Sequence, residues 1–237
     1  VIGTYCHTAD APVQTLGAQN GLLDMAALKA ALADDVACLY LQSPNHWGLI
    51  EDVQAAAELC HAAGVKLIMG CNPMALALLK TPAELGADIA VGDGQPLGMP
   101  LAYGGPYLGF MASTQPLMRK LPGRIVGQTT DADGKRCFVL TLQAREQHIR
   151  REKASSSICS NQALCALTAT VYLAAMGPAG LRGAAGQCHA KAHYLAQQLE
   201  QAGYRRVHDG AFFHEFLTTC PADPAMLMAA LEEAGIL

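Results

Sequence analysis

The sequence predicts an α/β fold: a mostly parallel sheet with flanking helices, followed by a small C-terminal α+β domain. Three observations point there. Between residues 37 and 91, short apolar runs alternate with helical patterns in the order β, α, β, α, β, and parallel strands need such crossovers. The loops after three successive strands, residues 43–48, 71–74 and 92–106, all contain Gly, Pro or Asn, and ligands bind such sheets at the carboxyl ends of strands. The composition, 51% hydrophobic and 15% charged, is that of a chain with a buried core rather than a disordered one.

Each element has its own signal. Residues 22–32 carry apolar side chains at helical spacing and stop at Asp34 and Asp35. The run 37–42 reads as a strand buried on both faces. Residues 52–63 read as a helix closed by Gly64, followed by a strand at 66–70, a helical turn or two at 73–79 and a short strand at 88–91. A returning strand is expected at 109–112, and 125–142 reads as a hairpin turning at Asp131 to Gly134. Residues 143–153 are charged and expected helical. Two longer helices, 161–176 and 178–201, are separated at Gly177 and Pro178. From Tyr204 on, strands at 205–208 and 213–218 precede a helix at 224–234. The large domain is placed at 1–176 and the small one, with its linking helix, at 177–237. Val1 opens the chain without a methionine in what reads as a strand, and Ile236 and Leu237 close it apolar, so both ends read as cut.

The formal charge of -4 is spread without a basic block, which argues against nucleic acid and anionic lipid as partners. Nine cysteines are scattered without the spacing of a metal knuckle and read as reduced, mostly buried thiols. No apolar run approaching the roughly 20 residues of a membrane span and no signal segment stands out, so the cytoplasm is the expected location, with no membrane partner. His189 and His193 lie four apart on a helix, but no third ligand is near them in sequence; they read as a solvent-facing pair, and no metal is expected.

The stretch GDGQPLGMPLAYGGPYLGFMA, residues 92–112, packs six glycines and three prolines into twenty-one positions after a buried strand. It lacks the Gly-Lys-Ser/Thr phosphate loop and the Gly-x-Gly-x-x-Gly fingerprint, so nucleotide binding is unsupported. A tight structural loop and a ligand loop remain equally open on composition alone.

That stretch, extended to residue 87, together with GRIVGQTTDADGKRCFVLTLQAREQHIRREKASSSICSNQAL at 123–164 and SPNHWGLIED at 43–52, resembles the subunits of glycine decarboxylase, the pyridoxal-phosphate-dependent P protein of the glycine cleavage system. It is most similar to subunit 1 of the split type. The resemblance implies the fold-type I architecture, with a seven-stranded mostly parallel large domain and a small domain, and hence an upstream part that this chain lacks. In the cofactor-binding subunit the equivalent loop carries the cofactor lysine five residues before its first proline. Here Pro100 and Pro106 keep the frame and put Gln95 at that lysine. An amide nitrogen, its lone pair delocalised into the carbonyl, cannot condense with the cofactor's aldehyde. The acidic residue that pairs the pyridine nitrogen is implied in the loop after 66–70, where this chain has Asn72, an amide with no charge to hold that proton.

The resemblance therefore implies a subunit with no catalytic residue and no cofactor of its own. Pyridoxal phosphate would be held by subunit 2 in an α2β2-type heterotetramer that acts on glycine and the lipoylated H protein. Possible pocket-lining residues are Asn45 and His46 in the 43–48 loop, Tyr103 in the Gly-rich loop, and Ser160 and Asn161 before the long helix. Asn45 could equally serve loop geometry, and the hydroxyl-rich run 155–161 could cap a helix or hold an anion. Two alternatives stand beside this reading. One is a self-sufficient pyridoxal-phosphate lyase or transaminase using Lys153 or Lys80, and the other a non-catalytic regulatory module.

Overall fold

The computed structural model describes residues 2–105, 107–123, 125–143, 147–154 and 162–236. The first element is a helix, α1 (Ile2–Thr8), which buries none of its side chains. A strand was expected at this end, but a strand needs a neighbour, and no strand pairs with this segment among the described residues. Asn20 and Gly21 both adopt positive φ, 53° and 82°, which turns β1 (Ala18–Gln19) back onto β2 (Leu22–Leu23) as an antiparallel ribbon. The helix expected from residue 22 therefore begins later. Asp24 accepts from the amides of Ala26 and Ala27 and caps α2 (Met25–Ala31).

The central sheet has the order β3 (Cys38–Ser43), β4 (Lys66–Cys71), β5 (Ile89–Asp93), β6 (Gly109–Ser113). The first three strands are parallel and β6 returns antiparallel. Between β3 and β4 runs α3 (Val53–Ala62). Asp52 accepts from the amide of Ala55 at its start, and Gly64, at φ 74°, turns the chain out at its end. Val53, Ala56, Ala57 and Cys60 recur at helical spacing and are all buried. Three of the four are small, so α3 lies close against Leu67 and Met69 of β4, with Leu28 of α2 beside them.

β3 departs from the expectation of two buried faces. Leu41 and Ser43 are buried while Cys38, Tyr40 and Gln42 are exposed. The α2 and α3 side is packed, and the other side opens toward the cleft described below.

The hairpin forms as expected, with β7 (Ile125–Thr130) and β8 (Arg136–Thr141) antiparallel and Asp131 accepting from the amides of Asp133 and Lys135. The described part of the helical stretch expected at 143–153 is helical from residue 147. It comprises α4 (Gln147–Arg150) and a 3-10 turn, Arg151–Lys153. The two expected long helices are the two halves of α5 (Ala163–Gln201), broken where Gly177 takes φ 60° and ψ -179° before Pro178. Among the described helices α5 alone approaches the length and apolarity of a membrane span, a test that core helices also pass. By length and composition it is apolar enough to cross a membrane, with mean hydropathy 1.5 over its most apolar stretch and only 11% of that stretch buried. Leucine, valine and alanine supply that hydropathy, and the threonines, Tyr172, Gly177 and Pro178 among them break it into pieces in the sequence.

Residues 205–208 and 213–218 do not form the expected strands. Single bridges join Arg206 to Thr218 and Leu49 to Phe212. The segment is claimed by side chains instead. Phe213 is buried with Met74, Ala75 and Ala185, and Phe212 with Leu49 and Ala196. The chain ends in α6 (Pro224–Glu233), capped by Asp223. The eight described cysteines are all unpaired, but only Cys60, Cys71 and Cys165 are buried, while Cys38, Cys188 and Cys220 are exposed. The expectation of mostly buried thiols fails because Cys38 and Cys188 lie on uncovered faces of β3 and α5 and Cys220 in the segment before α6.

Candidate functional site

The carboxyl ends of β3, β4 and β5 open into a cleft of about 440 Å³. Its floor depends on glycine. A Cβ on Gly70 would overlap the Tyr40 hydroxyl, and one on Gly92 would overlap the Cys71 carbonyl and the Phe110 ring. Tyr40 and Gln42 enter from β3, Asn72 follows β4, Asp93 ends β5 and Gln95 follows it, and His214 and Glu215 close the far wall. Burial, and next the neighbouring Cys71, push the Tyr40 phenol up, and burial pushes the Cys71 thiol up. Both stay neutral at physiological pH.

Gln95 and Asn72 lie in this cleft, and both are spoken for. The Gln95 side-chain amide donates to the Met99 carbonyl at 2.9 Å, and its backbone amide donates to Asp93 Oδ1 at 2.7 Å. Asp93 Oδ1 also accepts from Leu108 at 3.4 Å, tying the outgoing loop to the strand that returns. Met99 is buried against Cys165 and Ala169 of α5, so the Gln95 bond closes a turn anchored in packed structure. Asn72 Oδ1 accepts from Met74 at 2.9 Å and starts the 3-10 turn Ala75–Ala77.

The other sequence candidates lie elsewhere. Asn45 does not line the cleft. Its Nδ2 donates to the Gly21 carbonyl and to Glu51 Oε1, and its Oδ1 accepts from Trp47 and Leu49. This amide fixes the 43–51 loop, and the loop-geometry alternative describes what it does. His46 sits edge-on to Trp47, ring centroids 4.8 Å apart. Tyr103 is fully exposed at φ 53°. Ser160 and Asn161 lie outside the described residues. Lys80 is exposed and donates to Gln54 at 3.4 Å, and Lys153 is exposed in its 3-10 turn. Neither lysine reaches the cleft.

His189 and His193 are not the solvent-facing pair the spacing suggested. His189 Nδ1 donates to the Phe213 carbonyl at 3.0 Å and His193 Nε2 to the Phe212 carbonyl at 3.1 Å, with the His193 ring stacked on Phe212. They clasp the 211–216 segment to α5, and so place His214 and Glu215 at the cleft. No group of three metal-ligating side chains occurs among the described residues.

Sequence reasoning missed half of the cleft. Tyr40 and Gln42 had a signal, because residues two apart on a strand share a face and this face ends at the strand's carboxyl edge. His214 and Glu215 come from the far end of the chain and had none. His214 Nδ1 is buried without a hydrogen-bond partner among the described residues.

The family model described as Glycine cleavage system P-protein matches residues 1–236. A protein from Moorella thermoacetica named probable glycine dehydrogenase (decarboxylating) subunit 1 is 52% identical over 236 residues, covering 99% of this chain and 53% of the relative. One of the same name from Exiguobacterium sibiricum is 49% identical over 237 residues, covering 100% of this chain and 52% of the relative. The solved structure of glycine decarboxylase (P-protein) of the glycine cleavage system, in inhibitor-bound form, matches at TM-score 0.92 and 42% identity, over 99% of this chain and 53% of that one. Aspartate aminotransferase from Thermus thermophilus matches at TM-score 0.67 and 18% identity, over 99% of this chain and 62% of that one, a likeness of fold alone. The fold-type I architecture is thus borne out. The chain spans about half the length of the curated relatives it matches.

Proposed function

Because this chain belongs to the glycine cleavage system P-protein family, we propose that it is part of a subunit 1 that works without a cofactor of its own. It would support glycine decarboxylation and aminomethyl transfer to the lipoyl arm of H protein as one half of a cytoplasmic glycine dehydrogenase. The pyridoxal phosphate of that enzyme would sit in a homologous subunit 2, the two forming an α2β2-type heterotetramer. Gly177 would mark the boundary between its large and small domains.

The observation that carries this reading is the hydrogen bond from Gln95 to the Met99 carbonyl. At the position implied for the cofactor lysine stands an amide whose donor is consumed by the backbone of its own loop. The residues present do not fit pyridoxal phosphate. Gln95 offers no amine to the aldehyde, Asn72 offers no charge to the pyridine nitrogen and has spent its oxygen on Met74, and the cleft adds two carboxylates, Asp93 and Glu215. No chemical step runs through the cofactor in this chain. What its residues do is hold the shape of the cleft. Asp93 and Gln95 brace the loop, Asn72 starts the turn after β4, and the two histidines fasten the 211–216 segment across the cleft's mouth.

The test is reconstitution. Full-length subunit 1, incubated alone with pyridoxal phosphate and borohydride, is expected to retain no covalent adduct. Added to subunit 2, it is expected to raise glycine–bicarbonate exchange. A stoichiometric adduct on a lysine of this chain would restore the self-sufficient enzyme. Exchange by subunit 2 that is indifferent to the added chain would favour the regulatory module.

A further inference from the structure

We propose that Asp93 and Glu215 determine which ligands the cleft refuses: they exclude phosphorylated compounds, so that restoring a lysine at position 95 does not by itself restore a cofactor site. The inference rests on the reading that the cleft is a cofactor site whose own chemistry is lost, and it asks what besides the lysine was lost.

Two acidic residues line the cleft, Asp93 at the end of β5 and Glu215 on the segment clasped to α5, both exposed, and no lysine or arginine lines it among the described residues. A phosphate monoester carries about 1.5 to 2 negative charges at neutral pH. It would enter beside carboxylates of the same sign, whose repulsion salt screens. Phosphate sites are ordinarily built from backbone amides at a helix N-terminus or from basic side chains. The loop amides that could serve here are occupied: those of Gln95 and Leu108 bond to Asp93 and that of Gly94 to the Leu108 carbonyl.

The two acids are not equivalent. Asp93 Oδ1 is structural, since it accepts from two amides, whereas the Glu215 carboxylate has no hydrogen-bond or ion-pair partner among the described residues. Glu215 lines the cleft on a backbone that lies against Gly48, and its charge is uncommitted. A lysine introduced at 95 would share a turn with Asp93. The nearby negative charge favours the ammonium form, which has no lone pair to attack an aldehyde carbon. Capture requires the neutral amine. The C–N bond forms as the carbonyl oxygen leaves as water, and borohydride then delivers hydride to the carbon to fix the link.

The experiment compares the full-length Gln95→Lys chain with Gln95→Lys carrying Asp93→Asn and Glu215→Gln. Each is incubated with pyridoxal phosphate or with pyridoxal, reduced with borohydride and weighed intact. Asparagine at 93 keeps the oxygen that accepts from Gln95 and Leu108, and Gln95→Lys with Glu215→Gln alone serves if the triple variant loses its circular dichroism. The expected result is little capture of pyridoxal phosphate by Gln95→Lys. Removing the carboxylates should raise capture at least tenfold, by a factor larger for pyridoxal phosphate than for pyridoxal and smaller in high salt. Stoichiometric capture by Gln95→Lys alone, no gain on removing the carboxylates, or an equal gain for both compounds overturns the inference. Capture by the unsubstituted chain overturns the proposed function instead.

Discussion

Asp88, at the amino end of the central sheet just before β5, is 7% exposed and fully engaged. It accepts from Lys66 at 2.9 Å and from the Leu67 amide at 3.0 Å, with His61 at 2.9 Å. Five residues on, at the carboxyl end of the same strand, Asp93 is exposed and bonds only to backbone amides, and Glu215 nearby bonds to nothing described. One end of the sheet spends its polar groups on stability. The other holds a shape and leaves charge uncommitted.

The largest expected effect tests whether that shape is built in. Gly48 sits at φ 82°, and a Cβ there would run into the Glu215 backbone. Gly48→Ala therefore combines left-handed strain with a clash that only the clasped 211–216 segment can relieve. It should cost about 3 kcal/mol or more. Gly64 is the control, with a similar φ of 74° but nothing within 4 Å of its Cβ, so Gly64→Ala should cost about 1 kcal/mol. Urea midpoints of the two variants check this, and equal losses would mean that the wall bearing Glu215 is not held against the 43–51 loop.

At the other end, burial pushes the Asp88 carboxyl up, but Lys66, the Leu67 amide and His61 outweigh it and hold it at about 2, below the usual 3.8. A carboxyl lowered on folding contributes stability above its unfolded value and loses it as pH falls through the folded one. Asp88 should thus supply about 2 kcal/mol near neutrality, lost between about pH 4 and pH 2 and discounted because Lys66 and His61 are half exposed. Asp88→Ala should flatten this acid limb and cost about 2 kcal/mol at pH 7. Thermal melts across that window measure both. An unchanged acid limb would erase the contrast between the two ends.

Gln95→Ala comes third. It removes a single hydrogen bond from a part-buried loop and should cost about 1 kcal/mol, measured by the same melts. A negligible loss would leave the amide at 95 without the bracing role assigned to it.

The central sheet was largely legible in the sequence. Asp52 and Gly64 bracket α3, and the long connections from β3 to β4 and from β4 to β5 are the crossovers that parallel neighbours require. The Asn20–Gly21 pair was a legible turn signal that the apolar pattern of 22–32 masked. The cleft was legible from one side only. Gln95 and Asn72 fall in loops that local composition marks, whereas the wall that faces them is made by Phe212 and Phe213 turning into two separate clusters. The period-2 pattern of 213–218 resembles a strand, yet its carbonyls go to His189 and His193. A side-chain clasp from a distant helix leaves no periodic trace in the segment it holds.

The smallest effect separates shape from charge at Asn72. Its Oδ1 accepts from Met74, a role a carboxylate oxygen performs as well, so Asn72→Asp should preserve the turn. It would also place a third carboxylate in a cleft lined by Asp93 and Glu215, where like charges repel and salt screens them. The expected outcome is a loss of about 0.5 kcal/mol at low ionic strength that vanishes in high salt. Asn72→Leu, which removes the acceptor and adds no charge, should instead lose about 1 kcal/mol at any salt concentration. Melts at two ionic strengths distinguish them. A salt-independent loss for Asn72→Asp would mean that the cleft's carboxylates do not act on one another, and their collective refusal of an anion would lose its physical basis.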